Sequence, residues 1–160
     1  MNLNIRLANI NDIKDVFMLA NDDIVRANSI NTSKIKYDEH ERWFKDKISS
    51  KDTIFYVLEV DTIFAGCARI DRQEDNLWLV SINILEHFRA KKLGYYLLKN
   101  ICEQNATKSL LAYIKINNLA SKIIFEKNDF VLSDEILINA QKYYIFKRQQ
   151  SSNENLRIIF

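Results

Sequence analysis

The chain contains no proline and only two glycines, Gly66 and Gly94, among its 160 residues. That scarcity removes both glycine-rich phosphate loops, Gly-x-Gly-x-x-Gly for dinucleotides and Gly-x-x-x-x-Gly-Lys-Ser/Thr for nucleoside triphosphates. The missing proline, with abundant Lys, Asn and Ile, points to an A/T-rich coding genome and carries no chemistry. Cysteine is equally sparse: Cys67 and Cys102 lack metal-ligand spacing and form no zinc pattern with His40 and His87. No metal site is expected, and both thiols are expected reduced and buried. The formal net charge is only +2, so no extended basic face is implied and nucleic acid is not the default partner. No apolar run approaches the ~18 residues of a membrane span, and Met1 precedes the polar run Asn2 to Arg6 rather than a basic-then-apolar leader. A soluble, cytoplasmic protein with no membrane partner is expected.

What is present suits one domain: 48% hydrophobic residues over 160 positions can build a single core. Residues 1–150 read as that domain and 151–160 as a C-terminal tail whose polar start favours disorder, with Ile158, Ile159 and Phe160 apolar enough to dock. Ile5 and Leu7 mark a first strand, and Asn11 or Asp12 caps a helix with Ile13, Val16, Phe17 and Ala20 on its apolar face. Asn21 to Ser33 is polar and carries at most a short helix around Ile24 to Ala27, after which Tyr37 to Ile48 is helical. Phe55 to Val60 and Ile63 to Asp71 read as a hairpin turning at Asp61-Thr62. Leu77 to Ile84 follows as a strand, with Trp78, Val80, Ile82 and Ile84 on one face and Leu79, Ser81 and Asn83 on the other. Leu93, Tyr96, Leu97 and Ile101 predict a helix, Leu110 to Ile116 a strand, and Ala120, Ile123, Ile124 and Lys127 a further helix. Phe130 to Leu132, Ile136 to Ile138 and Tyr143 to Phe146 close the sheet.

The densest signal is Val80-Ser-Ile-Asn-Ile-Leu-Glu-His-Phe-Arg-Ala-Lys-Lys-Leu-Gly-Tyr95, an apolar strand running through a basic loop into a helix. A helix start exposes unpaired N–H groups at the positive end of its dipole, and Arg89, Lys91 and Lys92 add three cations beside them. That combination suits phosphate. Taken alone, the loop is equally a solvated charged turn, with Gly94 relieving local crowding.

Arg89-Ala-Lys-Lys-Leu-Gly94 resembles the Arg/Gln-x-x-Gly-x-Gly/Ala acetyl-CoA loop of the GNAT N-acetyltransferase superfamily, with Lys92 where the first glycine lies. Asn118-Leu-Ala-Ser-Lys-Ile-Ile-Phe-Glu-Lys-Asn-Asp-Phe130 resembles the family's Asn-x-x-Ser-x-x-x-Tyr-Glu-Lys-x-Gly-Phe segment, with Phe125 for tyrosine and Asp129 for glycine. The resemblance covers residues 3 to 148. It implies an α/β (α+β) fold with a central mixed, mostly antiparallel sheet, helices on both faces, and a splayed strand pair binding acetyl-CoA. It also implies that backbone groups of Ile82 and Ile84 pair with the pantetheine amides, and that N–H groups of Ala90, Lys91, Lys92, Leu93, Gly94 and Tyr95 hold the pyrophosphate beside Arg89. Asn118 would contact pantetheine and Ser121 the phosphates. In the family a backbone N–H near Ile84 polarises the thioester and a tyrosine protonates the sulfur; Phe125 has no proton to give, so either the thiolate leaves without a dedicated acid or another group such as Tyr143 or a water serves.

The segments Asn21-Asp-Asp-Ile-Val-Arg26, Asn28-Ser29 and Tyr37-Asp-Glu-His-Glu-Arg-Trp-Phe44 resemble those of GNAT enzymes that acetylate nucleotide-linked amino sugars, including the pseudaminic acid pathway. On that resemblance Asn21, Arg26, Asn28, Ser29, His40 and Trp43 bind the acceptor and His40 is the candidate base. From the residues alone, Trp43 and Phe44 read as core with His40 bordering it, and Arg26 reads as a surface cation. Arg69 and Asp71 share a strand face with Cys67 and read as either structural or functional. The expected activity is acetyl transfer from acetyl-CoA to a primary amine of a sugar nucleotide in surface-glycan synthesis, in a chain compatible with a homodimer. Acetylation of a protein N-terminus or small amine, and a non-catalytic acyl-CoA-binding module, are the alternatives.

Overall fold

Strand periodicity in the middle of the chain and amphipathic helices on either side of it generate two layers of helix around one sheet. The computed structural model describes residues 1–151, so the expectations for the tail fall almost wholly outside the described residues. The order is β1 (Leu3–Leu7), α1 (Ile13–Ala20), α2 (Asp23–Asn28), α3 (Tyr37–Ser49), β2 (Thr53–Val60), β3 (Ile63–Glu74), β4 (Leu77–Ile84), α4 (Leu93–Gln104), β5 (Ser109–Lys115), α5 (Leu119–Glu126), β6 (Val131–Ile138) and β7 (Gln141–Arg148). The seven strands form one sheet in the order β1-β2-β3-β4-β5-β7-β6. Only β4 and β5 are parallel, joined by the crossover through α4. This is the mixed, mostly antiparallel sheet expected. Among the described residues no helix is long and apolar enough to cross a membrane.

Alternation along β2 sorts the core into two faces. Tyr56, Leu58 and Val60 pack with Leu97, Leu98 and Ile101 of α4 and Phe125 of α5, while Phe55 and Val57 pack with Val16 and Leu19 of α1 and Phe44 of α3. Trp78, Val80, Ile82 and Ile84 of β4 all belong to the α4 side, as their spacing predicts.

Asp12 is the N-cap residue of α1, one of the two expected, but its side chain makes no cap hydrogen bond to that helix. A 3-10 turn, Ile10–Asp12, precedes α1 and is capped by Asn9, whose side chain accepts from the Asn11 N–H, while Asp12 closes a capping box by accepting from the Asn9 N–H. Asp12 is itself buried and accepts two hydrogen bonds, each 2.8 Å, from Arg6. The last strands are also longer than read: β6 and β7 form a continuous hairpin, bulged between Leu132 and Asp134. Seven of the eight β6 residues are exposed, so no one-sided burial imposes the alternation that would have marked the strand.

Seven non-glycine residues carry positive φ among the described residues: Asp61, Thr62, Ala90, Lys92, Asp129, Asn139 and Ala140. Asp61-Thr62 and Asn139-Ala140 are the paired left-handed residues that a tight hairpin turn demands. Neither glycine has positive φ. Gly66 instead permits a close approach: a Cβ there would lie 2.5 Å from Asn83 O and 3.2 Å from Ile84 Cα, at the end of β4. At Gly94 a Cβ would meet the tip of Ile124 at 3.0 Å and Ile84 Cγ1 at 3.8 Å, both side-chain atoms, so its reason is helix packing rather than an unusual backbone angle.

Gly66→Ala is therefore expected to destabilise the fold by about 1–3 kcal/mol by displacing β4. Gly94→Ala costs less, because Ile124 can yield and helix propensity favours alanine. Urea denaturation of both variants checks this, and equal losses would contradict the close-approach argument. Thr62→Gly, which relieves a β-branched residue at φ 71°, is expected to raise stability by about 1 kcal/mol in the same measurement.

Candidate functional site

β4 and β5 pair at only three positions, Leu77 with Ser109, Trp78 with Leu110 and Leu79 with Leu111, and then part. Each remains bound on its other side, β4 to β3 as far as Ile84 and β5 to β7 as far as Lys115. The Leu85 N–H donates to Ala65 O at 2.9 Å, so alternation turns the backbone groups of Val80, Ile82 and Ile84 away from β3 and into the gap. A cavity of about 650 Å³ opens there. Among its walls are Ile82, Ile84, Arg89, Ala90, Lys92, Leu93, Gly94, Asn118 and Ser121. The structure thus gathers nine of the expected cofactor residues at one cleft; Lys91 and Tyr95 do not line it.

At the mouth, Ala90 at φ 60° and Lys92 at φ 61° place two left-handed residues in the loop before α4. Lys92 thus adopts a left-handed conformation that glycine ordinarily supplies. No side chain caps α4, and Tyr96 N–H is bonded to Lys92 O at 3.1 Å. The N–H groups of Leu93, Gly94 and Tyr95 therefore have no intrahelical acceptor. Asn118 caps α5, accepting from the Ser121 N–H at 3.3 Å, which leaves its amide NH2 and the Ser121 hydroxyl toward the cleft as the polar side-chain groups of that wall.

The cation expected at the phosphates is engaged elsewhere. Arg89 donates from Nε to Ile84 O at 2.9 Å and from Nη2 to Asp22 Oδ1 at 2.7 Å, binding the loop to the end of β4 and to the start of α2. Arg89 is thus a latch as well as a cleft residue, and its Nη1 is buried with no hydrogen-bond partner among the described residues. Burial pushes the Asp22 carboxyl up, but Arg89 and the Val25 and Ile24 N–H groups hold it below the ordinary carboxylate range. On the opposite wall Lys115, buried, donates to Ala27 O at 2.6 Å. α2 is thereby fixed across the cleft from both sides, and Ile24, Val25, Asn28, Ser29 and Ile30 complete the cavity.

Two of the expected acceptor residues are held by the backbone. Arg26 lines a neighbouring cavity but donates to Ala20 O, Asn31 O, Ser33 O and Ser29 Oγ, so every nitrogen of its guanidinium is already engaged in folding the segment between α2 and α3. Asn21 is closed in the same way, donating to Ile35 O and accepting from the Ile35 N–H, and it lines neither cavity. In both, a polar side chain in a loop met the backbone's own unpaired groups first.

A second cavity, of about 450 Å³, continues from the first. The two share Val25, Ser29, Arg69, Ser81 and Asn83. His40, Trp43, Glu39, Phe55 and Cys67 line its far side. His40 is 1% exposed, with Nε2 donating to Ile13 O at 3.0 Å and its ring packed against Phe17, Trp43 and Phe44. The carbonyl partner fixes the tautomer and leaves Nδ1 as the bare nitrogen. Burial lowers the His40 pKa below 6.5, against the Ile13 hydrogen bond. The histidine is thus a neutral wall residue first, and the expected role as base is weakened accordingly. Burial also pushes Cys67 up to about 12 and Cys102 up to about 11, which keeps both as thiols.

Two residues were underread. Phe125 packs edge-on against Phe130, 4.8 Å between centroids, and is part of the core. Across the cleft Tyr143, only 2% exposed, carries a buried hydroxyl with no hydrogen-bond partner among the described residues. Arg69 lies where the two cavities meet; the only signal for it in the sequence was a lone cation on the same face of a central strand as Cys67 and Asp71.

No family model matches the sequence, and no curated protein matches it. Solved structures do. A spermidine N-acetyltransferase from Vibrio cholerae in complex with CoA and spermine superposes with a TM-score of 0.84 at 16% identity, covering 92% of this chain and 95% of that one. A putative phosphinothricin N-acetyltransferase gives 0.80 at 24% identity, covering 94% and 100%. An acetyltransferase of the GNAT family from Streptococcus pneumoniae gives 0.76 at 17% identity, covering 94% and 100%. With the parted strands, the intervening cleft and the helix start at its mouth, these likenesses establish that the chain has the fold of the GNAT N-acetyltransferases.

Proposed function

We propose that the chain is an acetyl-CoA-dependent N-acetyltransferase acting on a small primary amine. The observation that carries the proposal is the cleft between β4 and β5, which sets unpaired backbone groups of one strand edge beside the unpaired N–H groups of α4. A pantetheine arm offers amides to the first set, and a pyrophosphate offers oxygens to the second, aided by Lys92. Ile82 keeps both backbone groups for this purpose. Ile84 keeps its N–H, because its carbonyl already accepts from Arg89.

The chemistry follows from what is left free. The acceptor amine enters through the second cavity and attacks the thioester carbon, forming the C–N bond as the C–S bond breaks. Charge developing on the carbonyl oxygen is met by the Ile84 N–H. The departing sulfur needs a proton, and Tyr143 supplies it: burial raises its pKa above 10, so the hydroxyl is present at neutral pH, and nothing else holds it. Phe125 contributes packing alone. The amine proton leaves by water held at Ser81 and Asn83, which line both cavities.

Charge narrows the acceptor. Among the described residues no Asp or Glu lines the larger cavity and only Glu39 lines the smaller, whereas Arg69, Arg89, Lys92 and Lys115 line the larger and Arg26 and Arg69 the smaller. A polycationic amine finds little to balance it there. The finer form of the proposal, a nucleotide-linked amino sugar for surface glycans, retains Asn28, Ser29, His40 and Trp43 as walls, but it requires a cation other than Arg26 for the diphosphate.

Acetyl-CoA is expected to bind and to stabilise the fold by about 2.7 kcal/mol at 100 times its Kd. Calorimetry checks the binding, and none at millimolar acetyl-CoA would end this reading. Tyr143→Phe is expected to lower kcat by roughly 10²-fold with acetyl-CoA affinity unchanged, and not to lower stability, since it deletes an unpartnered buried hydroxyl. An unchanged kcat would assign the proton to water. For His40, a folded pKa below the unfolded value makes stability full above about pH 6.5 and makes it decline as pH falls. In thermal melts from pH 6.5 to 5, His40→Phe should show a shallower decline than the native chain, whatever its absolute stability.

A further inference from the structure

We propose that the acceptor carries an oxyanion as well as its amine, and that Arg69 is the residue that binds it. The inference rests on the acetyltransferase reading and adds the substrate's second recognition group. Arg69 rises from β3 at the junction of the two cavities and lines both. Its Nε donates to Asp71 Oδ2 at 2.5 Å, and its guanidinium lies over the Trp43 ring, 4.8 Å from the centroid, with Phe55 at 5.9 Å. Those contacts fix the plane of the group. Its two terminal nitrogens make no hydrogen bond among the described residues, and its side chain is 25% exposed.

The charge there is unbalanced. Asp71 also accepts from Lys47 Nζ and Thr53 Oγ1, each at 2.8 Å, so a single carboxylate faces two cations and one positive charge is left over. Arg26 and the buried Lys115 are engaged with backbone carbonyls, and Arg89 with Asp22 and Ile84 O, which leaves it one unpartnered nitrogen, the buried Nη1. Arg69 has both terminal nitrogens free among the described residues and is already oriented by a carboxylate on one side and an indole face beneath. A planar fork so held matches carboxylate, phosphate or phosphinate oxygens in two-point contact.

Position supplies the second constraint. Arg69 pairs with Ser81 across the strands, and the end of β4 at Ile84, where the carbonyl is polarised, lies three residues on, roughly 10 Å along the strand. An acceptor held at Arg69 with its amine at that end has its charged group several ångströms from the reacting nitrogen. Free amino acids and the diphosphate of a sugar nucleotide both offer the oxyanion, at different separations.

The test compares the native chain with Arg69→Gln on four acceptors: a uridine-diphosphate-linked amino sugar, free α-amino acids, glucosamine without phosphate, and spermidine. For whichever anionic acceptor the native chain uses, the variant should lose roughly 10²-fold in kcat/KM, mostly through KM, while acetyl-CoA affinity stays the same by calorimetry. For glucosamine the loss should be at most about threefold. Arg69→Lys should recover part of the loss, since charge returns without the fork. Preference for the sugar nucleotide over free amino acids assigns the oxyanion to the diphosphate, and the reverse assigns it to a carboxylate. The inference fails if spermidine is the best acceptor or if the variant loses as much on glucosamine as on the anionic amine. Failure of the underlying reading looks different: no acetyl-CoA binding, or no CoA release with any amine in the native chain.

Discussion

Backbone pairing between β4 and β5 stops at Leu79 and Leu111, and the polar groups this leaves over govern the rest of the molecule. Two neighbouring strands can part without loss of the fold only if each is secured elsewhere. β4 is held along its other edge to Ile84, through the close approach that Gly66 permits, and β5 is held to β7 through Lys115 and Tyr143. The strain of opening falls on the shared edge alone. Buried backbone groups without partners cost about 1–3 kcal/mol each, so a cleft of this kind is a site that gains when a molecule with alternating amide donors and acceptors enters it.

The same logic explains where the cations went. α2 has six residues and cannot hold itself in place over a gap. Asp22 receives the Ile24 and Val25 N–H groups and then Arg89, while Lys115 reaches Ala27 O from the far side. Arg26 ties the following loop to α1 and α2 through carbonyl oxygens. Each of these charges looks like ligand recognition in a list of residues and is architecture in three dimensions. What remains for a ligand is the complement: helix-start N–H groups, Lys92, the unpartnered Nη1 of Arg89, and the free edge of Arg69.

Much of this was legible in the sequence, for identifiable reasons. The β4 faces, the two helical layers and the loop running into α4 all rest on local periodicity, which burial enforces strongly in the middle of the sheet. Nine of the eleven expected cofactor positions gather at one cleft because a strand, a loop and a helix start are contiguous in the chain. Asn21 and Arg26 misled because a side chain's choice between ligand and nearby carbonyl depends on how a thirteen-residue polar loop closes, and no periodicity records that. Arg69 stayed open between a structural and a functional reading because its value comes from Trp43, Asp71 and Lys47, which converge only when α3 packs on β3. The exposed β6 had no buried face to imprint a pattern.

Scarcity of glycine is the last constraint, and it bears on binding. Both glycines serve close packing, so every left-handed position among the described residues falls to a residue with a side chain. In the turns at Asp61-Thr62 and Asn139-Ala140 this is a local cost met by the hairpins. In the loop before α4 it is different: Ala90 and Lys92 both sit at strained angles on either side of Lys91, and what holds them there is the Arg89 latch to Ile84 O and Asp22. A glycine loop would be free to sample other shapes and would have to be ordered by the ligand. Here the ordering is completed in folding, by a latch that also fixes α2, so the N–H groups of α4 face the cleft before anything binds, and the entropy of arranging them does not subtract from affinity. Lys92 at the glycine position is on this view a gain in preorganisation and charge together, at the expense of a strained backbone that the rest of the site keeps in place.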